Sequence, residues 1–387
     1  MSRRTLALAV LALTSTALVP SLATSAAASS AHSEKAVCAR APQGFAACDA
    51  HIVTKADKVT PNATTTYSSG YAPADLVKAY SIPRNGSTNT IAIVDAYASP
   101  TAQADLNAYR SQFGLGPITI TQYNQSGGTT LPAGDTGWGQ EEALDLDMAS
   151  AACPSCSIIY VGGNSASFAD LSAAVKTAAA KGAKVISNSY GGSEYSGEVT
   201  AQAAYNQPGI AVTVSSGDSG FGAQFPASSQ YVVDVGGTNL ARSSTTRGFT
   251  ETAWSGGGSG CSAYIAKPTW QHDAGCAKRM GSDISAVADP NTGVAVYDSY
   301  GSTGGANWLV FGGTSVAAPL VGGMYAVAGV TTAYPAATLY TSGTSLYDVV
   351  SGSNGRCNRF PSYFCTAGTG YDGPTGNGTP NGTASLH

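Results

Sequence analysis

Thr90-Ile91-Ala92-Ile93-Val94 is an unbroken apolar run rich in β-branched residues. Such a run predicts a strand that is buried on both faces. Similar short runs recur at residues 157–161, 184–187, 210–215 and 231–235. Stretches with helical periodicity alternate with them, at residues 72–80, 102–113, 140–152 and 168–180. This alternation predicts an α/β fold with a mostly parallel central sheet and helices on both faces.

The N-terminus has the pattern of a secretory signal. Arg3 and Arg4 precede an apolar run, and small residues follow it. The order predicts a signal peptide over residues 1–28 and a secreted protein. A permanent membrane anchor is the alternative, but Pro20 and several hydroxyl residues interrupt the run.

The rest of the chain divides in two by composition. Residues 29–70 are polar and irregular and predict a short N-terminal extension, similar to a propeptide arm. Residues 71–387 carry the strand and helix pattern. They predict one large domain, without an internal linker or repeat.

Charge and cysteine content narrow the class of protein. A net charge of −4 with 11% charged residues offers no basic patch, so we expect no nucleic-acid partner. We also expect no membrane partner after signal removal, and a monomer. Cys153 and Cys156 would form a redox dithiol only in a thioredoxin-like context, which is missing. Local disulfides are therefore expected between the close pairs Cys38 and Cys48, Cys153 and Cys156, Cys261 and Cys276, and Cys357 and Cys365.

Ser315 is a candidate nucleophile. It follows Gly312-Gly313 and opens a small-residue helical run. A serine nucleophile needs a base, and none of the four histidines, at positions 32, 51, 272 and 387, lies in a turn suited to a Ser-His-Asp relay. We therefore expect a carboxylate base and an acidic working range.

Glu141 and Asp145 are the candidate carboxylates for that task. They are four residues apart on a predicted helix and share one face. Like charges at this spacing repel, which favours a pair that shares one proton. The alternative is that the acidic run is a solvated helix face.

Asp218 lies in the turn Ser216–Gly220, directly after a predicted strand. Ligands bind at the carboxyl ends of parallel strands, and a protonated carboxyl there can donate a hydrogen bond to an oxyanion. An ordinary tight turn is one alternative. Another is that Ser219 is the nucleophile of a chymotrypsin-like protease, but that fold is all-β and needs an upstream histidine.

Together these residues resemble the sedolisins, or serine-carboxyl peptidases, which share the subtilisin fold. The resemblance covers residues 71–380, with Val235-Gly236-Gly237-Thr238 as a further marker. It implies an acid peptidase acting on polypeptides, as an endopeptidase or a tripeptidyl peptidase. It also implies Ser315 as nucleophile, Glu141 as base, Asp145 as its partner and Asp218 at the oxyanion. Asp95 resembles the catalytic aspartate of subtilisin, but the accompanying His-Gly-Thr-His signature is absent, so we expect a structural role for it.

A metal site is predicted near the C-terminus. Two carboxylates with backbone carbonyls form an all-oxygen shell, which suits Ca²⁺. The resemblance implies one structural calcium ion, with these ligands: Asp348 and Asp372 through side chains, and Val349, Gly368 and Gly370 through carbonyls. A plain glycine-rich tail is the alternative.

The chain departs from the sedolisin pattern in two places. Sedolisins are usually made with a long folded propeptide, whereas here only the extension 29–70 precedes the domain. Tyr190 stands where the family often carries Trp. The main alternative function is a non-catalytic secreted binding or surface protein that retains the fold. An esterase is a further alternative, but the sequence around Ser315 lacks the Gly-x-Ser-x-Gly motif of esterases.

Overall fold

The strands and helices alternate along the chain as the apolar runs predict. A computed structural model describes Met1 and residues 32–301, 305, 307–341 and 345–387; apart from Met1, the predicted signal peptide lies outside these residues. The strands are β1 Ser33–Ala36, β2 Ala47–Cys48, β3 His51–Thr54, β4 Thr90–Ala96, β5 Thr121–Asn124, β6 Ser157–Gly163, β7 Val185–Asn188, β8 Tyr190–Ser193, β9 Ala211–Ser215, β10 Gln224–Phe225, β11 Val233–Arg242, β12 Phe249–Ala253, β13 Gly260–Ala266, β14 Lys278–Gly281, β15 Ile284–Val287, β16 Val294–Tyr297 and β17 Trp308–Gly312. The helices are α1 Pro73–Tyr80, α2 Ala102–Gln112, α3 Thr136–Ala152, α4 Phe168–Ala180, α5 Glu198–Ala201, α6 Thr314–Ala328 and α7 Ala336–Thr341.

The central sheet has the strand order β12-β11-β9-β7-β4-β6-β5, and β15 also pairs with β11. Every pairing in it is parallel except that of β11 with β12. The prediction of a mostly parallel sheet is therefore confirmed. Because parallel strands end at the same edge, the residues that follow β4, β7 and β9 lie close together.

Alternate residues of β4 point into two separate cores. Ile91 and Ile93 belong to the core that contains α3 and α6, whereas Ala92 and Val94 belong to the core that contains α4. All four are fully buried. This explains why the run is apolar throughout, and it confirms that helices cover both faces.

Helix α3 begins at Thr136, earlier than the predicted start near residue 140. The reason is a cap, because the Asp135 carboxylate accepts a 3.0 Å hydrogen bond from the Trp138 N–H. The first turn of α3 could not be predicted from the sequence pattern, because this turn lacks apolar residues at helical spacing.

The N-terminal extension joins the body of the protein through two sheets. Strand β3 pairs with β1 on one side and with β17 on the other, in a four-stranded sheet β1-β3-β17-β16. Strand β2 pairs antiparallel with β8 in a second, three-stranded sheet. These contacts bring residues 46–51 to the carboxyl edge of the central sheet.

The four predicted disulfides are confirmed, and all eight cysteines are among the described residues: Cys38–Cys48, Cys153–Cys156, Cys261–Cys276 and Cys357–Cys365. Within the described ranges, no helix has both the length and the apolar character needed to span a bilayer.

Candidate active site

Ser315 lies in the first turn of α6, directly after β17. Gly313 makes the sharp connection with a φ of 102°, a conformation that favours glycine. Ser315 is fully buried, and its hydroxyl donates a hydrogen bond to the carbonyl oxygen of Ser189 at 3.2 Å. The loop after β7 and the start of α6 therefore meet at this serine.

Glu141 and Asp145 lie on α3, which packs against α6. Both side chains are fully buried. The alternative interpretation of a solvated acidic face is therefore wrong. Neither carboxyl has a hydrogen-bond partner of standard geometry among the described residues. Because burial removes the water that would stabilise a negative charge, it favours the neutral, protonated form of each carboxyl.

The pKa of Glu141 is raised well above its usual range, first by burial and then by the negative charges of Asp145 and Asp95. Ser315 lies close enough to lower the pKa of Glu141 in part. The pKa of Asp145 is also raised, by burial and then by Asp95, and the Ser189 hydroxyl partly offsets this. The pair titrates as a unit, because each charge disfavours the other.

Asp95 lies beside this pair at the end of β4 and is fully buried. Burial raises its pKa to about 8. Neither carboxyl oxygen accepts a hydrogen bond from another described residue, which leaves the expected structural role without a visible contact. Its charge acts on Glu141 and Asp145 instead.

Asp218 approaches the site from the turn after β9. One carboxyl oxygen, Oδ1, accepts hydrogen bonds from the Thr314 N–H and hydroxyl, both at 2.8 Å. The other, Oδ2, is buried and has no hydrogen-bond partner within the described ranges. Burial raises the pKa of Asp218 well above its usual range, and the charge of Asp49 adds to this. Burial therefore favours the neutral form of this carboxyl in acid, and Oδ2 is the oxygen that its proton would occupy.

The position of that free oxygen is marked by Gly313. A Cβ on Gly313 would lie 2.5 Å from Asp218 Oδ2 and 2.2 Å from the carbonyl oxygen of Asp49. Asp218 Oδ2 and this carbonyl thus face the same small space beside Ser315. The four residues selected from the sequence, Glu141, Asp145, Asp218 and Ser315, meet here, and their roles stay a prediction.

Sequence reasoning missed two residues of the N-terminal extension that lie in the site. The carboxyl of Asp49 accepts a 2.7 Å hydrogen bond from the Ser215 hydroxyl, and burial raises its pKa to about 7. His51 Nε2 lies 3.7 Å from Asp218 Oδ2, and its Nδ1 lies 3.7 Å from Glu34 Oε1. Burial lowers the pKa of His51. The Asp49-x-His51 spacing on an otherwise irregular segment was the available signal.

A cavity of about 380 Å³ lies between the extension and the cleft. The extension contributes residues around the Cys38–Cys48 disulfide, and β8 contributes Gly191 and Gly192. Tyr190, also in β8, is fully buried, and its hydroxyl donates to Asn188 Oδ1 at 2.9 Å. It therefore packs beneath the cleft, and the backbone of β8 forms the edge.

The residues of the predicted calcium site converge on one turn. Asp348 Oδ2 accepts a 3.0 Å hydrogen bond from Gly370 N–H, and Asp372 Oδ2 accepts one of 2.9 Å from Gly368 N–H. Burial raises the pKa of Asp372 to about 6, and the charge of Asp348 adds to this. Among the described residues no cationic side chain forms an ion pair with either carboxylate.

The backbone of this turn is also suitable. The carbonyl oxygens of Val349, Gly368 and Gly370 accept no hydrogen bond from another loop N–H in the described part of the chain. No cluster of three or more His, Cys, Asp or Glu side chains suited to a metal occurs within those ranges either. The predicted shell instead combines two carboxylates with three backbone carbonyls, a set of oxygen donors whose chemistry fits Ca²⁺.

The chain is similar to members of a known protein family. The model of the Subtilase family, Peptidase_S8, matches residues 119–347. Kumamolisin from Bacillus sp. (strain MN-32) is 31% identical over 358 residues, which cover 82% of this chain and 63% of that protein. Sedolisin from Pseudomonas sp. (strain 101) is 31% identical over 362 residues, which cover 80% of this chain and 60% of that protein. The chain thus spans about three fifths of the length of these relatives.

A solved structure shows the same fold. It is described as Pseudomonas sedolisin (serine-carboxyl proteinase) complexed with two molecules of pseudo-iodotyrostatin. It superimposes with a TM-score of 0.69 at 24% identity, and covers 82% of this chain and 96% of that chain. The predicted subtilisin-like architecture is confirmed.

Proposed function

Because the chain belongs to the subtilase family, in its sedolisin group, we propose that it is a secreted serine-carboxyl peptidase that hydrolyses polypeptides in acid. The observation that carries this proposal is the meeting of a buried serine, a buried carboxyl pair and an unpartnered carboxyl oxygen of Asp218 in one site. The four disulfides support an extracellular location, as does the predicted signal over residues 1–28.

Ser315 is the proposed nucleophile and Glu141 the proposed base. The serine hydroxyl attacks the peptide carbonyl carbon, and its proton passes to Glu141. Asp145 supports the base by sharing a proton with it, so that the pair carries one negative charge before the attack. The proximity of Ser315 to Glu141 supports this assignment, since the serine already lowers the pKa of that carboxyl.

An acidic working range follows from the neighbours of the base. Burial and the charges of Asp145, Asp95 and Asp49 all raise the pKa of Glu141. Well below pH 7 both Asp95 and Asp49 are largely protonated, because burial raises the pKa of Asp95 to about 8 and that of Asp49 to about 7, so their charges no longer act on Glu141. Glu141 can then ionise at lower pH than it can when its neighbours are charged. Burial raises the pKa of Asp218 as well, which favours its protonated form in acid.

Asp218 is the proposed oxyanion donor. Thr314 holds Oδ1 through two hydrogen bonds, which leaves the proton for Oδ2. A donor fixed in this way needs no reorganisation when negative charge develops on the substrate oxygen. Deprotonation at higher pH would replace the donor with a negative charge and stop the reaction.

One structural calcium ion is proposed at the C-terminal turn. Asp348 and Asp372 would hold it through carboxylates, and Val349, Gly368 and Gly370 through carbonyl oxygens. No cationic side chain among the described residues pairs with these two carboxylates, and calcium would supply the positive charge instead. It would stabilise the fold and take no part in bond cleavage.

The test is hydrolysis of an unfolded protein across about pH 3 to 8. We expect an acid maximum for the wild type and a loss of at least about 1,000-fold in kcat for Ser315→Ala and Glu141→Gln. Glu142→Gln is the matched control. Glu142 is the next residue of α3 and equally buried, but its Oε2 accepts a 2.6 Å hydrogen bond from Ser99 N–H. Full activity of Glu141→Gln, or a maximum near neutral pH, would overturn the proposal.

A further inference from the structure

Residues 46–51 run through the active-site cleft as an extended chain. Ala47 and Cys48 pair antiparallel with Gly191 and Tyr190 of β8. The N–H of the next residue, Asp49, donates to the carbonyl oxygen of Ser189 at 3.2 Å. This is how a peptide substrate adds a strand to a sheet edge. The extension thus occupies the cleft in the manner of a substrate.

The carbonyl of Asp49 lies where the reaction would occur. Its oxygen accepts a 3.0 Å hydrogen bond from the N–H of Ser315, the proposed nucleophile. It also faces the unpartnered Oδ2 of Asp218 across Gly313. The Ser315 N–H therefore donates to this carbonyl, and the Asp218 carboxyl lies beside the same small space. The peptide bond between Asp49 and Ala50 is the bond that this geometry presents to Ser315.

The side chain of Asp49 fills a small polar pocket. Residue Asp49 is only 6% exposed, and its Oδ2 accepts the 2.7 Å hydrogen bond from Ser215. Gly191 borders this pocket, because a Cβ there would touch Asp49 Oδ2 at 3.4 Å and would overlap Gln224 Oε1 at 2.5 Å. Ser215 is itself fully buried, so an apolar side chain in its place would leave the serine hydroxyl without an acceptor.

We propose that this pocket selects aspartate or asparagine on the acyl side of the cleaved bond, with Ser215 as the specificity-determining residue and Asp49–Ala50 as an intramolecular substrate. The inference rests on the proposed peptidase function and adds its substrate class. A pocket built to hydrogen-bond a polar side chain discriminates strongly against an apolar one. Aspartate enters it as the neutral acid at low pH, and asparagine has nearly the same shape.

The intramolecular reaction is balanced without a further reagent. Ser315 Oγ bonds to the carbonyl carbon of Asp49 while its proton passes to Glu141. The C–N bond to Ala50 then breaks, and the proton goes to the new amine of Ala50. Water hydrolyses the ester, which restores the Ser315 hydroxyl and leaves a carboxyl group at Asp49. Because Cys38 and Cys48 both precede this bond, no disulfide holds the released segment to the body.

The first experiment follows this bond in the full chain. The protein is purified near neutral pH, moved to about pH 4, and followed by intact mass and N-terminal sequencing. We expect a new N-terminus at Ala50, at similar rates for wild type and Asp49→Asn, and at least about 10-fold more slowly for Asp49→Leu. Ser315→Ala should stay intact. Equal rates for Asn and Leu, or cleavage only at other bonds, would overturn the assignment.

The second experiment uses peptides in trans, so that it does not depend on the folding of the extension. Matched peptides carry Asp, Asn, Leu or Phe before the cleaved bond. We expect kcat/KM to be about 10- to 100-fold higher for Asp and Asn, and Ser215→Ala to reduce this ratio at least about 10-fold. Ser187→Ala is the control, because this serine is also buried and its hydroxyl has no hydrogen-bond partner among the described residues.

The outcomes separate the two proposals. Cleavage of the Leu or Phe peptides in preference, or an unchanged ratio in Ser215→Ala, would overturn the pocket assignment and leave a peptidase. Cleavage of no peptide at any pH, together with an intact extension, would overturn the peptidase function itself.

Discussion

Asp95→Asn is expected to make the stability of the protein less dependent on pH. Asp95 is fully buried, neither carboxyl oxygen has a hydrogen-bond partner in the described part of the chain, and burial raises its pKa from 3.8 to about 8. In the unfolded chain the carboxyl ionises at its ordinary pKa. The folded state therefore holds a proton that the unfolded state has lost. The free energy of unfolding falls as pH rises between these two pKa values.

The size of the effect follows from this difference in proton binding. Between about pH 5 and about pH 7 the unfolded carboxyl is ionised, while the folded one keeps its proton. Each pH unit then lowers the free energy of unfolding by about 1.4 kcal/mol, or about 3 kcal/mol over the interval. Asparagine has almost the same shape and does not titrate. The variant should therefore lose about 3 kcal/mol less stability than the parent over this interval.

The measurement is urea unfolding at both pH values in a Ser315→Ala background, where self-digestion cannot interfere. Asp57→Asn is the control, because Asp57 is exposed and hydrogen bonds from Thr60 and Val59 lower its pKa to about 2. It is ionised in both states above about pH 5 and adds nothing to the slope. If the free energy of unfolding fell equally in Asp95→Asn and in its parent between the two pH values, Asp95 would not be held neutral in the folded state.

Three further outcomes are expected. Asp218→Ala should lower kcat by about 100- to 1,000-fold with little change in KM, measured on a peptide in acid, because it removes an oxyanion donor; an equal rise in KM would instead indicate lost binding. Gly313→Ala should abolish activity, because its Cβ would lie 2.5 Å from Asp218 Oδ2, whereas Gly86→Ala, with a similar positive φ and open space, should retain it. Chelation of calcium at mildly acidic pH should lower the Tm of the wild type but not that of Asp372→Asn, and an unchanged wild-type Tm would remove the proposed calcium site.

The sheet and the candidate site residues could be predicted from the sequence, for two different physical reasons. A parallel strand buried on both faces requires a continuous apolar run, so β4, β6, β7 and β9 are visible as such runs. Their carboxyl ends share one edge, so Asp218, which follows β9, could be assigned to a site there. Glu141 and Asp145 were recognisable because two carboxylates four residues apart on a helix repel each other, unless the pair shares a proton.

The placement of the N-terminal extension could not be predicted in this way. Residues 46–51 have neither helical nor strand periodicity, and they are held by backbone hydrogen bonds to Ser189 and Ser315. Such contacts leave no trace in side-chain pattern, because any residue except proline supplies the same N–H and carbonyl. Asp49 and His51 thus entered the site without a sequence signal strong enough to select them. The start of α3 was missed for a related reason, since a cap is one hydrogen bond and not a pattern.

The same protons that stabilise this fold also prepare its candidate site for reaction. Asp95, Glu141 and Asp145 are fully buried, and within the described ranges none of them forms an ion pair with a cationic side chain. Protonation of Asp95, and a proton shared by Glu141 and Asp145, relieves most of the cost of burying them, so acid strengthens the fold. In the proposed mechanism acid also favours the protonated form of Asp218, whose pKa burial raises, and removes the charges of Asp95 and Asp49 that oppose ionisation of Glu141. Under the proposed mechanism, a rise in pH would therefore weaken the fold and stop catalysis through one set of carboxyl groups. A single substitution in that set, such as Asp95→Asn, should shift both pH profiles together.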